Sequence, residues 1–170
     1  MSVEIIAAAV STLEPEPRTW RWTSLSYCVL DAVWSIGARY DECNGLITLA
    51  ANLIPVGSPT RATDFAQHAL GIARDVGYRA LEGQALSVLA DIALTGPQTW
   101  RAVDLATEAL SVQRQCGDRL GIAATLCILG IALRGTVGPD AALPHWREAR
   151  DLYTRCHAPE PPRLTVLLGA

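Results

Sequence analysis

Lysine is absent from this chain of 170 residues, and all 14 basic residues are arginines. A Walker-type phosphate loop is excluded because it needs a lysine, and the glycines never form a GxGxxG pattern. The 17 acidic residues outnumber the basic ones and give a formal net charge of −3. Because phosphate affinity needs a net basic face, we expect no nucleic-acid partner. Because a Walker lysine is impossible, we expect no nucleotide hydrolysis from this chain.

Residue patterns that support metal binding or catalysis are equally scarce. The five cysteines form no CxxC pair, and the three histidines form no HExxH motif. The nearest approach to a ligand pair is His145 with Glu148, or Cys156 with His157, and two such residues on a helix are usually just solvated side chains. We therefore expect a non-enzymatic protein with no metal, no cofactor and free thiols, as in a reducing cytoplasm.

The sequence also offers little for a membrane or a secretion pathway. Glu4 stands where a secretory signal would carry positive charge. The longest apolar run, Leu120–Leu133, is shorter than the roughly 20 residues that cross a bilayer. The expectation is a cytoplasmic protein in which this run forms a buried helix.

An internal repeat of 40 residues is the strongest pattern in the chain. Residues 62–94 align with 102–134 at ten identical positions, and 22–54 align with 62–94. Within each repeat apolar residues recur at i, i+3, i+4 and i+7, which indicates amphipathic helices, and Gly77 and Gly117 stand where helices end. The predicted helices are 3–13, 22–36, 41–54, 61–75, 80–94, 100–115, 120–134, 141–156 and 162–169.

The spacing of large and small residues resembles the tetratricopeptide repeat, a helix-turn-helix unit. The residues that carry the resemblance in its clearest copy are Leu126, Leu129, Gly130, Leu133, Ala142, Trp146 and Ala149. The pattern recurs with smaller residues around Leu86 and Leu46, while the family's aromatic in the first helix is missing. Small residues such as Ala90 and Gly130 would let crossing helices approach closely.

The resemblance implies an all-α fold, a right-handed α-solenoid of about eight or nine antiparallel helices. Its units would be residues 42–75, 82–115 and 122–155. Residues 1–41 would form a degenerate repeat or cap, and 156–170 a capping or truncated helix. Links such as Gly117-Asp118-Arg119 are similar to those of repeat arrays in actinobacterial transcriptional regulators and signalling ATPases.

For function, the resemblance implies a scaffold that binds a protein or peptide, or a second copy of itself, in a concave groove. The expected groove residues are Ser87, Val88, Asp91, Cys127, Ile128 and Ile131. The periodic residues Arg39, Arg79 and Arg119 would form one edge, which either consists of solvated helix ends or meets acidic groups of a partner. The alternative function is a sensor that takes a small peptide or apolar ligand in the same groove.

Overall fold

The computed structural model describes residues 25–169, and over that range every regular element is a helix. The predicted helix 3–13 lies outside the described residues. The seven helices are α1 (Leu25–Leu53), α2 (Pro59–Val76), α3 (Arg79–Ala93), α4 (Thr99–Cys116), α5 (Arg119–Thr136), α6 (Pro139–Arg155) and α7 (Pro162–Gly169).

The 40-residue period is visible in where the helices begin. Helices α2, α4 and α6 start at Pro59, Thr99 and Pro139, and α3 and α5 start at Arg79 and Arg119. The α2 and α4 helices end in Gly77 and Gly117 with φ of 81° and 72°, a left-handed conformation that glycine adopts without steric cost. The all-α class is therefore confirmed, and the predicted helices from 61 onward occur with only small shifts of their ends.

The prediction of separate helices 22–36 and 41–54 is wrong, because α1 runs unbroken through this stretch. At the corresponding place the later repeats have Tyr78 or Asp118 between a left-handed glycine and the next helix. The first repeat has Ala38 there, the strongest helix former, and Gly37 alone costs a helix only about 1 kcal/mol. The described residues thus hold seven helices instead of the eight predicted over the same range.

The chain divides into two compact units at a boundary after Ile36, inside α1. In the first unit the described side chains, at positions 32–36, are exposed. In the second unit consecutive helices from α2 to α7 pack against one another, and α3 also contacts α5. Cys43, Ile47 and Ala50 of α1 pack into clusters with α2 and α3.

Alanine is the commonest residue on the buried faces of α2, α4 and α6, whose starting points are 40 residues apart. The fully buried alanines of this kind are Ala62, Ala66, Ala69, Ala73, Ala102, Ala106, Ala109, Ala142 and Ala149. A methyl group lets two helix backbones approach to the near end of the usual 8–10 Å range. Larger residues on the intervening helices, such as Leu81, Leu86 and Leu126, fill the space between them.

Helix α5 is the one described helix that is long and apolar enough, by length and composition, to cross a membrane. Its apolar residues Leu126, Leu129 and Ala132 are buried against neighbouring helices. That arrangement is typical of the central helix of a packed core, which passes the same test of length and composition.

Candidate functional site

Helices α3 and α5 lie side by side, and their common surface is the region where the sequence places a groove. A hydrogen bond between the hydroxyls of Ser87 and Thr125, 2.9 Å long, joins the two helices directly. We call the surface around Asp91, Cys127, Ile128 and Ile131 the α3/α5 face.

A buried chain of polar side chains fixes the spacing of α3, α4 and α5. Gln113 of α4 donates from Nε2 to the backbone oxygen of Gly83 (3.2 Å) and accepts from the Thr125 hydroxyl at Oε1 (2.9 Å). Gln113 and Thr125 are fully buried, and Thr125 in turn accepts from Ser87. Because buried polar groups are costly when unpaired, this network specifies one arrangement of the three helices.

The six predicted groove residues fall into two groups. Ser87, Cys127 and Ile128 are buried, with Ser87 committed to the hydrogen bond with Thr125. Val88, Asp91 and Ile131 keep part of their surface exposed, although Val88 packs toward the clusters shared with α1. Asp91 and Ile131, which occupy equivalent positions 40 residues apart, are therefore the predicted residues best placed to meet a partner.

The C-terminal helix α7 packs against α6, and its first turn also reaches this face. Arg163 donates from Nη1 to Oδ1 of Asp91 at 3.0 Å. Leu164 is fully buried in the cluster that contains Cys127 and Ile128, and Leu167 and Leu168 pack against that cluster. The sequence predicted a capping or truncated helix at 156–170 but did not connect it with the groove, and Arg163 and Leu164 are the site residues that it missed.

Charged residues around the start of α7 affect the pKa of the Cys127 thiol. Burial raises the pKa of its thiol to about 11, while the nearby Arg163 guanidinium lowers it and the Glu160 carboxylate raises it. Burial, together with the charge of Cys127, also raises the pKa of Tyr153 to about 12. Residues on both sides of α7's starting point are thus close enough to Cys127 to act on its ionisation.

Alkylation of Cys127 by iodoacetamide should be much slower than alkylation of Cys116. Cys116 is exposed, whereas Cys127 is buried and its raised pKa leaves little of the reactive thiolate at neutral pH. The rate at Cys127 should keep rising with pH up to about 11. Peptide mapping by mass spectrometry measures both rates in one sample, and equal rates for the two thiols would contradict the burial of Cys127.

The predicted arginine edge is partly engaged in contacts within the chain. Arg79 binds Glu82 through Nη1 (2.5 Å) and Gln115 through Nη2 (2.8 Å), whereas Arg39 and Arg119 are exposed. Glu82, only 5% exposed, also accepts from Nε of Arg74 at 3.2 Å. At Arg79 the edge therefore holds α3 against α4.

A second ion pair recurs with the repeat. Arg74 reaches Glu108 at 2.6 Å, and 40 residues later Arg114 reaches Glu148 at 3.8 Å. Each pair joins one member of the series α2, α4, α6 to the next. Only the first copy also serves a buried carboxylate, since position 122, the counterpart of Glu82, is isoleucine.

Replacing Arg74 with alanine should therefore destabilise the fold more than the matched Arg114→Ala change. Arg114 makes one long, half-exposed pair, which contributes roughly 0–1 kcal/mol. Loss of Arg74 leaves the buried Glu82 with Arg79 alone, and a deficit of about 1–3 kcal/mol is expected. Urea unfolding of both variants measures the difference, and equal costs would show that the Arg74–Glu82 contact contributes nothing.

The described residues include no group of three or more His, Cys, Asp or Glu side chains that could hold a metal ion. A shallow pocket of about 210 Å³ lies away from the α3/α5 face, between α2, α3 and α4, where Leu89, Ile92 and Arg101 help to line it. This volume is below the roughly 300–1,000 Å³ of ordinary small-molecule sites.

Comparison with known proteins adds a match at the N-terminal side. Residues 3–82 match a family described as a domain of unknown function (DUF8548). No curated protein shows significant similarity to the chain. The matched segment ends at Glu82 in the first turn of α3, so the residues that define the α3/α5 face and all of α7 lie beyond it.

Proposed function

We propose that the chain is a non-catalytic scaffold that binds a protein or peptide partner, with its helix pairs stacked as a tetratricopeptide-like right-handed α-solenoid. The 40-residue spacing of the helix starts and the contact between α3 and α5 support this arrangement. On the resemblance of its links, the chain is a regulatory segment of a bacterial transcriptional regulator. Its partner is a protein or a second copy, met in the cytoplasm and independent of nucleic acid or membrane.

The observation that carries the proposal is the contact that α7, packed on α6, makes with the α3/α5 face. Asp91 of this face accepts a hydrogen bond from Arg163, and Leu164 is fully buried in the apolar cluster that Cys127 and Ile128 share with Trp146 of α6. An apolar surface with one acidic side chain at its margin is the kind that binds an amphipathic helix. A surface that already binds a short helix of its own chain has the chemistry needed to bind a helix from a partner.

Selection from a displayed library of short helical peptides tests the proposal. The full chain should enrich binders that are lost with Ile131→Arg, which places a charge on the face. Val56→Arg is the matched control, since Val56 is 71% exposed in the link between α1 and α2. Thermal melts check that both variants fold, and Asp91→Arg provides a second change on the face.

Peptides that bind the wild type and the Ile131→Arg and Asp91→Arg variants equally well would remove the α3/α5 face as the binding surface. The sensor alternative predicts instead that small apolar compounds raise the melting temperature. The small volume of the pocket beside Leu89 and Arg101, and its place off the face, support the scaffold over the sensor.

A further inference from the structure

The segment 158–169 resembles a bound peptide, because its helix is too short to be stable without the surfaces that it contacts. Helix α7 has eight residues, fewer than the roughly 12–15 at which an isolated helix becomes even marginally stable. Its helical state must therefore depend on the surfaces it contacts. Between α6 and α7 the chain has no regular structure from 158 to 161, and Pro159 and Pro161 limit helix formation there.

The contacts that hold this segment define a simple recognition pattern. Arg163 pairs with Asp91 across 72 positions of sequence, and both side chains are partly exposed, at 50% and 25%. The adjacent Leu164 is fully buried, and Leu167 and Leu168 add partly buried apolar surface. The pattern is an arginine in the first turn, a leucine beside it, and leucines one turn later.

One part of the segment fits poorly. Oε1 of Glu160 is buried and has no hydrogen-bond partner among the described residues. A buried acceptor without a partner lowers the affinity of the segment for its site, because the group loses its hydrogen bonds to water and forms none in the protein. A competing peptide that lacks this carboxylate would avoid the penalty.

Resting on the proposed function, we infer that residues 158–169 are an internal ligand of the α3/α5 face. The external partner is a short amphipathic helix that presents an arginine to Asp91 and a leucine in the place of Leu164. The partner can bind this face only after displacing α7. Competition from residues 158–169 therefore lowers the affinity of the chain for its partner.

The probe for this inference is a fluorescein-labelled synthetic peptide with the sequence of residues 158–169. It is titrated against the full chain and against full-chain Leu164→Asp, which releases α7 by placing a charge in a buried apolar site. We expect the Leu164→Asp chain to bind the peptide at least tenfold more tightly than the wild type. Arg163→Glu, which repels α7 from Asp91, is a second release variant should Leu164→Asp fail to fold.

Charge reversal tests whether the peptide uses the contact seen in the structure. In the release background, Asp91→Arg should lose the native peptide and gain a peptide with Arg163→Glu. A peptide with Glu160→Met should bind the released chain about tenfold more tightly than the native one, because it carries no unpaired carboxylate. Alkylation of Cys127 should accelerate in the released chain and slow again when peptide is added.

The inference is overturned if the released chain binds no peptide, binds it no better than the wild type does, or binds it equally well with Asp91→Arg. A wild-type dimer that dissociates on Leu164→Asp would overturn it as well, because α7 would then occupy the face of a second copy. These results are separable from failure of the proposed function: library peptides that require Ile131 but do not compete with the 158–169 probe would preserve the scaffold and remove the internal ligand.

Discussion

Substituting alanine for Gly130 is expected to destabilise the protein by about 1–3 kcal/mol, although alanine is the better helix former. A Cβ atom at this position would stand 2.6 Å from Cδ1 of the Trp146 indole. Trp146 is 2% exposed and cannot move away without losing its hydrogen bond to the Cys127 backbone oxygen, 3.2 Å long, and its stacking under Arg134. The helices α5 and α6 would have to separate.

The matched control is Gly71→Ala in α2, where a new Cβ meets nothing within 4 Å. This change should stabilise the protein by about 0.5–1 kcal/mol, since only the helix propensity differs. The two glycine-to-alanine variants should therefore shift the free energy of unfolding in opposite directions, as measured by urea titration with far-UV circular dichroism. A gain of stability in both would show that α5 and α6 do not approach closely at Gly130.

Gln113→Ala should be the costlier of two substitutions in the buried polar network, at about 2–4 kcal/mol. The change removes one hydrogen-bond partner each from the Gly83 carbonyl and the Thr125 hydroxyl and opens a cavity between α3 and α4. Gly83→Ala should also destabilise, because its Cβ would stand 2.6 Å from Cγ of Gln113. Both substitutions act on the same space, which the Gln113 side chain fills above Gly83.

Their combination should consequently cost less than the sum of the single changes. In the double variant the new methyl group of Ala at position 83 fills space that the Gln113 side chain has left, so a coupling of about 0.5–3 kcal/mol is expected. A double-mutant cycle by denaturant unfolding measures it. Strict additivity would mean that Gln113 does not lie over Gly83.

Helix positions were predictable from the sequence because glycine and proline mark most of the links. Gly77 and Gly117 end helices as expected from their place in the pattern. The fusion of two predicted helices into α1 depended on a single position, Ala38, where a periodic alignment suggests a break and the local residue favours continuation. Alignment of the repeats predicts which residues are equivalent, but it does not predict whether a given position forms a link or continues a helix.

The candidate site was less accessible to sequence reasoning. Counting helix positions brought Asp91 and Ile131 to one surface, because both follow the repeat. The return of Arg163 to Asp91 breaks the repeat, since it joins positions 72 apart, and no periodic pattern indicates it. The sequence also did not predict that Ser87 is buried, because its burial depends on the hydrogen bonds that Thr125 makes with Ser87 and Gln113.

The hydrogen-bonded chain from Gly83 through Gln113 and Thr125 to Ser87 also bears on how the molecule unfolds. Arrays of helix pairs can lose structure pair by pair from one end, because each pair contacts only its neighbours. In this protein α3, α4 and α5 share one buried polar connection, so detaching α5 exposes partners on both α3 and α4. Amide protons of these three helices should therefore exchange with solvent at a common rate, as one cooperative block.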